Sequence, residues 1–450
     1  MRERYRPAVL SLLIAAGVLL LIHGLIGYPI LTSRSGTVQR SLLSTLVSKN
    51  LLNNTGAAGD DEELREWLRG ARSLGRRVVL RYSACGGLIN QQYSHLSAFI
   101  LATALRAEVV LPPACFRNSF GLHYDMDIKR NKMEWFTTPV NTLLDVPRVI
   151  ENWKALGIKV YETPGLQPAP NLTQPSTAFP AFIQRDVDPR LILRLPDVYL
   201  ARSPLAALVA RSRATLARHL RDLDPGLAAS TDYLVLDLPC TFFALRTARI
   251  PALATRVAAL LPFNAALEAL AARTVAAMAA AGVPAFNGVH LRVEKDAGDW
   301  TIIMGGVGRM WHLYTQTMRR AGLDARTPLY VATGLLTYGA SKEWAYAQRV
   351  LLSKGLASRV VIKNQFVPAF ELAELNTEQQ ALLDFLILAR AVRFVGFGSS
   401  TFSYYLTQHR RMRGHAQEAS LLVDAARIGT DAMFEAAAVI THPPLMHVVQ

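Results

Sequence analysis

A regular alternation of short apolar strands and longer amphipathic helices in the second half of the sequence constrains the fold more than any other feature. The predicted elements are strands at 286–293, 328–333, 359–364 and 392–397, helices between them at 306–321, 340–354 and 377–391, and a last helix at 398–411. Elements of these lengths in this order are typical of a doubly wound parallel sheet. We therefore expect one α/β domain in this half of the chain.

A similar pattern opens the first half. An apolar strand at 78–82 is broken by Gly86 and Gly87, a helix is predicted over 90–106, and the following strand, "AEVVL", is stopped by two prolines. A strand, a glycine turn, a helix and a strand in this order begin a parallel α/β sheet. Because 450 residues are too many for one ordinary core, we expect two such domains.

The N-terminus predicts a membrane anchor. Three arginines among the first six residues precede an apolar run at 8–31, whose one ionisable group is a histidine. About 20 apolar residues suffice to cross a bilayer, and basic residues before the run favour a cytosolic N-terminus. We expect a cytosolic tail at 1–7 and a type II signal anchor, with a cleaved signal peptide as the alternative. Glycosylation sequons at Asn53 and Asn171 fit a chain that lies in the lumen of the Golgi or endoplasmic reticulum.

Changes in composition divide the remaining chain into five segments. They are a stem at 32–70, an N-terminal Rossmann-like domain at 71–250, an interdomain helical segment at 251–283, a C-terminal Rossmann-like domain at 284–425, and a C-terminal tail or return segment at 426–450.

Charge and cysteine content limit the partners and the chemistry. Apolar residues make up 51% of the chain and charged residues 18%, as expected of a folded protein and not of a disordered chain or a polytopic transporter. The net charge of +15 favours an anionic partner, which leaves nucleic acid, a phosphate-bearing small molecule and an acidic membrane surface open.

The sequence has three cysteines, Cys85, Cys115 and Cys240, and no CxxC pair. They allow one disulfide with one thiol left over, and the pairing stays open.

The segment "HLR" places an arginine at the end of a predicted strand. Ligands of parallel sheets bind at the carboxyl ends of the strands, and Arg292 follows His290 at such an end. A guanidinium group suits phosphate oxygens and can stabilise the negative charge that grows on a departing diphosphate. The alternative is that Arg292 pairs with Glu294 or Asp296 at a solvated strand end.

The segment "VGFGSSTFS" lies between the last predicted strand and the last helix. Ser399, Ser400 and Thr401 would stand at the helix N-terminus, where unsatisfied N–H groups and the helix dipole bind anions. Simple capping of the helix by a serine is the alternative.

The segment "GGLINQ" follows the first strand. Gly86 and Gly87 permit a tight turn. Asn90 and Gln91 would then present their amides to the crevice at the carboxyl ends of the strands. Asn90 could orient an acceptor hydroxyl, although an amide is a poor general base. The alternative is an asparagine that caps a core helix.

In their order and spacing, these three segments resemble the O-fucosyltransferase family, including its plant-type branch. The segments that carry the resemblance are "GGLINQQY" (86–93), "HLRVEKD" (290–296) and "GSSTFS" (398–403), and the longer stretch 381–406 also resembles the family's last sheet unit. The likeness covers most of residues 77–411. It implies a GT-B fold, in which two Rossmann-like domains face each other across a cleft.

The resemblance also implies an inverting glycosyl transfer without a bound metal or other cofactor. The N-terminal domain would hold a protein or polysaccharide acceptor. The C-terminal domain would bind a nucleotide sugar, with GDP-fucose as the first expectation. The implied donor-binding residues are His290, Arg292, Asp384, Ser400, Thr401 and Phe402, with Asp384 on the nucleoside side. The implied catalytic residues are Asn90, Arg292 and Glu294, the last as a candidate base.

The sequence departs from the plant-type motif at two positions. Tyr93 stands where that motif has arginine, and Ile89 is an extra residue, so the spacing matches the animal members of the family. The donor sugar does not follow from the motifs, so a rhamnosyltransferase or another polysaccharide glycosyltransferase stays open, as does a non-catalytic lumenal glycan-binding protein. The anchor and the sequons argue against a nucleic-acid binder.

One acidic pair would suit a metal. Asp125 and Asp127 in "HYDMD" are hard oxygen ligands two residues apart. A hard cation requires more oxygen ligands than two, so we expect no metal site here.

Overall fold

The computed structural model describes residues 75–117, 135–163, 187–195, 204–241, 250–293, 306–336, 339–398 and 400–423, together with positions 245 and 247. All of them belong to one compact unit that covers residues 60–450. The predicted cytosolic tail, signal anchor, stem and C-terminal tail lie outside the described residues. Within the described ranges, no helix has both the length and the apolar character that a bilayer span requires.

Two parallel sheets form the framework. In chain order the described strands are β1 (Arg77–Ser83), β2 (Glu108–Leu111), β3 (Ala114–Arg117), β4 (Trp135–Thr138), β5 (Val160–Glu162), β6 (Ile192–Arg194), β7 (Tyr233–Cys240), β8 (Asn287–His290), β9 (Leu329–Ala332), β10 (Val360–Val361), β11 (Phe394–Phe397) and β12 (Ser420–Val423). The first sheet has the order β5-β2-β1-β7-β6 and the second β10-β9-β8-β11-β12, while β3 and β4 form a separate antiparallel pair. Every neighbouring pair in the two larger sheets is parallel. This confirms the prediction of two parallel α/β units.

Helices connect the strands and cover the sheets. In chain order the described α-helices are α1 (Leu88–Leu105), α2 (Val146–Ala155), α3 (Leu205–Asp222), α4 (Pro225–Ser230), α5 (Pro251–Ala259), α6 (Ala265–Ala280), α7 (Val307–Arg320), α8 (Ser341–Ser353), α9 (Ala369–Ala373), α10 (Thr377–Leu388) and α11 (Thr401–Met412). α1 contacts α3, α5, α10 and α11, and nearly all of its residues are buried. Its apolar sequence therefore matches a central helix that is packed on all sides.

Two boundaries differ from the sequence-based prediction in ways that matter for the site. The strand predicted at 286–293 ends at His290, so Arg292 lies in the segment after β8 and not at its last position. The alanine-rich stretch of the predicted interdomain segment is divided into α5 and α6, because Pro262 ends the first helix and Asn264 caps the second through the Leu267 N–H.

One hydrophobic core is shared between the two sheets. It runs from Leu80 on β1 through Phe99 on α1 and Leu270 on α6 to Phe385 on α10. A second core lies around β8 and β9 and is built with α7 and α8. α10 therefore packs against both halves, and its continuous apolar run 385–388 explains why its C-terminal half is buried.

Candidate functional site

A glycine turn follows β1 at the carboxyl edge of the first sheet. Gly86 has φ of +71°, a conformation that L side chains rarely adopt. A Cβ atom at this position would also lie 2.7 Å from the Asn90 amide nitrogen. Both the backbone conformation and the space therefore require glycine, and the turn lies directly against the Asn90 side chain.

Gln91 holds this turn in place. Its amide nitrogen donates to the Gly86 carbonyl at 3.0 Å and to the Cys115 carbonyl at 2.7 Å, and its Oε1 accepts the Cys115 N–H at 2.8 Å. The amide is buried and both of its ends are hydrogen-bonded, so Gln91 connects the turn to β3. The prediction that Gln91 presents its amide to the crevice is therefore wrong.

Asn90 differs from its neighbour. The N-cap of α1 is Gly87, so Asn90 lies inside the first helical turn and the capping alternative is wrong. Its Oδ1 is buried and has no hydrogen-bond partner among the described residues. Because buried polar atoms are nearly always paired, this amide oxygen beside a glycine turn is a candidate acceptor for a ligand hydroxyl or a bound water.

A disulfide closes the same edge of the sheet. Cys85, the residue before Gly86, is bonded to Cys240 at the end of β7, with the two Cα atoms 5.8 Å apart. Cys115 is the remaining thiol, and burial, with a smaller contribution from Glu378, raises its pKa to about 11. The pairing that the sequence left open is thus Cys85 with Cys240.

At the corresponding edge of the second sheet, His290 and α11 form a compact cluster. His290 Nδ1 and Ser403 Oγ are 2.7 Å apart, and the His290 ring lies 4.4 Å from that of Phe402. Ser403 Oγ also accepts the Phe397 N–H at 3.0 Å, so it is bonded to the end of β11 as well as to the histidine ring.

Gly396 makes this cluster possible. A Cβ atom there would lie 2.6 Å from both Ser403 Cβ and Ser403 Oγ. Gly396 is inside β11 and not in the turn between strand and helix, so its role is to let α11 approach the strand.

The N-terminus of α11 carries the predicted hydroxyls. Ser400 is the N-cap residue, yet it makes no side-chain capping bond within the described part of the chain. Simple capping by Ser400 is therefore not what the structure shows. Ser400 and Thr401 are half-buried, and they lie where the dipole and the first-turn N–H groups of the helix favour an anion.

Arg292 is held by its backbone. The Tyr314 hydroxyl, from α7, donates to the His290 carbonyl at 2.9 Å and accepts the Arg292 N–H at 3.0 Å. This bridge fixes the chain where it leaves β8. The Arg292 side chain is half-buried, while Glu294 and Asp296 lie outside the described residues, so their pairing with Arg292 stays a prediction.

Asp384 lies in a buried ion pair. Its Oδ1 accepts the Tyr330 hydroxyl at 2.6 Å, and its Oδ2 lies 2.5 Å from Lys363 Nζ. The residue is 7% exposed, and burial and then the Asp384 charge raise the pKa of Tyr330 well above 10. Each carboxylate oxygen still has a second lone pair, so a contact with a nucleoside stays a prediction.

The segments of the two sheets meet where α1 packs on α11. Gln92 Nε2 donates to Tyr405 Oη at 3.5 Å, and Tyr93 Oη donates to Gln408 Oε1 at 3.3 Å. The Tyr93 and Tyr405 rings meet edge to face at 5.4 Å. Tyr93, the residue that replaces the plant-type arginine, is 4% exposed and thus serves helix packing.

Sequence reasoning missed three residues around this site. Tyr314 and Glu378 are far from the motifs in sequence and show no local signal, since only the fold brings them to the strand end and to α1. Ser403, by contrast, stands inside the segment "GSSTFS", and its spacing from Gly396 could have indicated it. No cluster of three or more metal-ligating side chains occurs in the described ranges, and Asp125 and Asp127 lie outside them.

Comparison with known proteins gives structural matches alone. No protein-family model and no curated protein sequence matches the chain. POFUT1 in complex with GDP-fucose is 12% identical, with 78% of this chain and 99% of that chain covered and a TM-score of 0.43. FUT1 of Arabidopsis thaliana in complex with GDP is 15% identical, with 85% and 79% covered and a TM-score of 0.39. The fucosyltransferase NodZ from Bradyrhizobium is 14% identical, with 74% and 91% covered and a TM-score of 0.36.

Proposed function

We propose that the chain is an inverting glycosyltransferase that moves a sugar from a nucleotide sugar to a hydroxyl group. The observation that carries the proposal is the packing of α1, with the unpaired Asn90 oxygen in its first turn, on α11, with an anion-favouring N-terminus beside His290. One helix can thus orient an acceptor, and the other can hold a diphosphate. The resemblance of the three segments to O-fucosyltransferases supports the same assignment.

The donor diphosphate would be held at the second sheet. Ser400 and Thr401 offer hydroxyls at a helix N-terminus, and His290 is held beside the same helix by Ser403. We assign the charge-stabilising cation to Arg292, because negative charge grows on the diphosphate as its bond to the sugar breaks. Phe402 supports the histidine from one face.

The acceptor would be oriented from the first sheet. Its hydroxyl donates to Asn90 Oδ1, and its oxygen attacks the anomeric carbon from the face opposite the diphosphate. The bond between sugar and diphosphate breaks, and its electron pair leaves with the diphosphate. As the new bond forms, the hydroxyl hydrogen turns from Asn90 Oδ1 to a base, which takes the proton. Glu294 is the proposed base, since an amide cannot take this role.

The proposed donor is GDP-fucose, and Asp384 would contact its nucleoside. Solved structures with a similar fold contain GDP-fucose, as POFUT1 does, and the motif resemblance points the same way. The proposed location is the lumen of the Golgi or endoplasmic reticulum, behind the predicted signal anchor. The Cys85–Cys240 disulfide supports it, because disulfides persist in oxidising compartments.

A donor screen with the purified full-length chain tests the proposal. We expect GDP-fucose to bind and to be slowly hydrolysed, while GDP alone competes. Tight binding of UDP-rhamnose instead would retain the glycosyltransferase and change its donor. The absence of binding and hydrolysis for every nucleotide sugar would refute the proposed function and favour a non-catalytic glycan-binding protein.

A further inference from the structure

Helix α1 begins without a cap from its own sequence. Its N-cap residue is Gly87, which has no side chain to accept a hydrogen bond, and its first turn contains no acidic residue. The Leu88 N–H instead donates to Glu378 Oε2 at 2.6 Å, across 290 residues of sequence. A carboxylate at a helix N-terminus satisfies an open donor and complements the dipole, so α1 takes its cap from the other half of the chain.

The Glu378 side chain is available for this contact because α10 is capped separately. Asn376 Oδ1 accepts the Gln379 N–H at 2.9 Å, and Gln379 Oε1 accepts the Asn376 N–H at 3.0 Å, which completes a capping box. Glu378 is therefore not required to cap its own helix. It is 2% exposed, so its charge is buried at the contact between the two halves.

The carboxylate lies beside the glycine turn. Its charge contributes to the raised pKa of the Cys115 thiol, and Gln91 joins Cys115 to Gly86. Glu378 thus lies close to the same residues that hold the turn. Asn90, with its unpaired oxygen, follows Leu88 by two residues in the same helical turn.

We infer that Glu378 is a positioning residue, which fixes the first turn of α1, and with it Asn90, against the second half of the chain. The inference rests on the proposed function for the reaction that it serves. In the proposed reaction Glu378 contacts neither donor nor acceptor. It sets the distance between the amide that orients the acceptor and the helix that holds the diphosphate, and an error of about 1 Å in such a distance can cost roughly 100-fold in rate.

Two substitutions and one control test this role in the full-length chain. Glu378→Gln keeps an oxygen that can accept the Leu88 N–H, whereas Glu378→Ala removes it. Glu371→Ala is the matched control, because Glu371 likewise contacts a different helix through its carboxylate. It pairs with Arg273 of α6 at 2.5 Å, but the Glu371 and Arg273 side chains are 33% and 61% exposed.

The kinetic result expected for Glu378→Ala is a kcat lower by about 10- to 100-fold, with a donor KM within about twofold of wild type. Glu378→Gln should lose less than about fivefold in kcat, since the neutral bond is weaker but still present. Glu371→Ala should match wild type. A kcat of Glu378→Ala within about twofold of wild type would overturn the inference, and so would equal losses in the alanine and glutamine variants.

Amide hydrogen exchange gives a second measurement that does not depend on activity. In Glu378→Ala, or in Glu378→Gln if the alanine variant does not fold, the amides of residues 88–91 should exchange faster while those of β8 and β11 stay as in wild type. Unchanged exchange at 88–91 would overturn the inference. A wild-type chain that binds no nucleotide sugar would refute the proposed function alone, because the exchange measurement would still decide whether Glu378 holds α1.

Discussion

At the scale of single residues, Asn90 and Arg292 carry the two halves of the proposed reaction in different ways. Asn90 has a buried oxygen without a partner among the described residues, and its proposed contact with the acceptor rests on that oxygen. The Arg292 backbone is bonded to Tyr314, and the proposed role of its side chain rests on its position after β8. The two residues therefore lead to separate expectations for binding and for turnover.

Asn90→Ala should lower the transfer rate strongly while donor binding is kept. The substitution removes the oxygen that would orient the acceptor and leaves α11 and His290 untouched, and a lost positioning contact costs about 100-fold. Steady-state kinetics measures the rate, and calorimetry with the donor measures binding. Loss of donor affinity in this variant would contradict the assignment of Asn90 to the acceptor side.

Arg292→Ala should lower the transfer rate by about 100-fold or more without unfolding the chain. The guanidinium would no longer stabilise the charge on the departing diphosphate, whereas the fixing contact with Tyr314 uses the backbone and remains. Arg326→Ala is the control, since Arg326 is exposed and pairs with its neighbour Asp324. Turnover of Arg292→Ala near that of wild type, at an unchanged melting temperature, would end the assignment.

At the scale of elements, the sequence predicted the strands and helices better than the contacts that fix their positions. The strand, glycine turn and helix at 78–106 were predicted because local periodicity and glycine determine them. The cap of α1 could not be predicted, because Glu378 is distant in sequence and reaches Leu88 through tertiary packing alone. Gln91 and Asn90 looked equivalent in sequence. Only the position of β3 distinguishes the Gln91 amide, which is hydrogen-bonded at both ends, from that of Asn90, whose oxygen has no partner within the described ranges.

The glycine turn itself can be tested with a pair of matched glycines. Gly86→Ala should lose about 1 kcal/mol or more of stability from its positive φ, and should also lose transfer activity because the new Cβ would displace Asn90. Gly157→Ala carries the same kind of strain, with φ of +78° but no atom within 4 Å, so it should lose stability and keep activity. Thermal melts and transfer rates of the two variants give the comparison. Full activity in Gly86→Ala would show that the turn does not position Asn90.

Helix α11 is held by a buried arginine. Arg410 donates to four carbonyls at the end of α10 and just after it, those of Leu388, Ala389, Ala391 and Val392. At the start of β12 it also donates to the Ala419 carbonyl and to Ser420 Oγ. Arg410→Ala should therefore cost about 3 kcal/mol or more in the free energy of unfolding, because it leaves several buried carbonyls unpaired. Arg411→Ala, at the exposed neighbouring position, should change it by less than about 0.5 kcal/mol. Denaturant titration measures both, and equal stabilities would contradict this role.

At the scale of the whole molecule, the two α/β patterns in the sequence became two parallel sheets with a partly shared core. Periodicity predicts each sheet separately, since strand and helix lengths are local properties. It does not predict that Phe385 of α10 joins the core of Leu80 and Phe99, because the apolar C-terminal half of α10 could equally have been buried within one domain. The contact between the halves, and with it the position of Asn90 relative to His290, therefore could not be predicted from the sequence.

The stability of the whole chain should fall in mild acid because of a buried histidine. His95 on α1 is hydrogen-bonded to Tyr82 Oη at 2.7 Å, and burial lowers its pKa to about 4 from the ordinary 6.5. The unfolded chain therefore binds more protons than the folded chain between these two values. The contribution of the neutral His95 to the free energy of unfolding is fully present above about pH 6.5 and is lost as the pH falls towards 4. At pH 5 the loss is about 2 kcal/mol.

His95→Gln should reduce this dependence, because glutamine can remain a polar partner for Tyr82 but cannot gain a proton. The free energy of unfolding, measured by denaturant titration at about pH 7.5 and pH 5, should differ less between the two conditions in the variant, by about 2 kcal/mol. His312→Gln is the control, since His312 is exposed and its replacement should leave the difference as in wild type. His409, whose pKa burial lowers to about 3, adds a loss of the same sign that both chains share, so only the difference between wild type and variant isolates His95. If wild type and His95→Gln lost the same stability between the two pH values, a neutral, buried His95 would not be part of the fold.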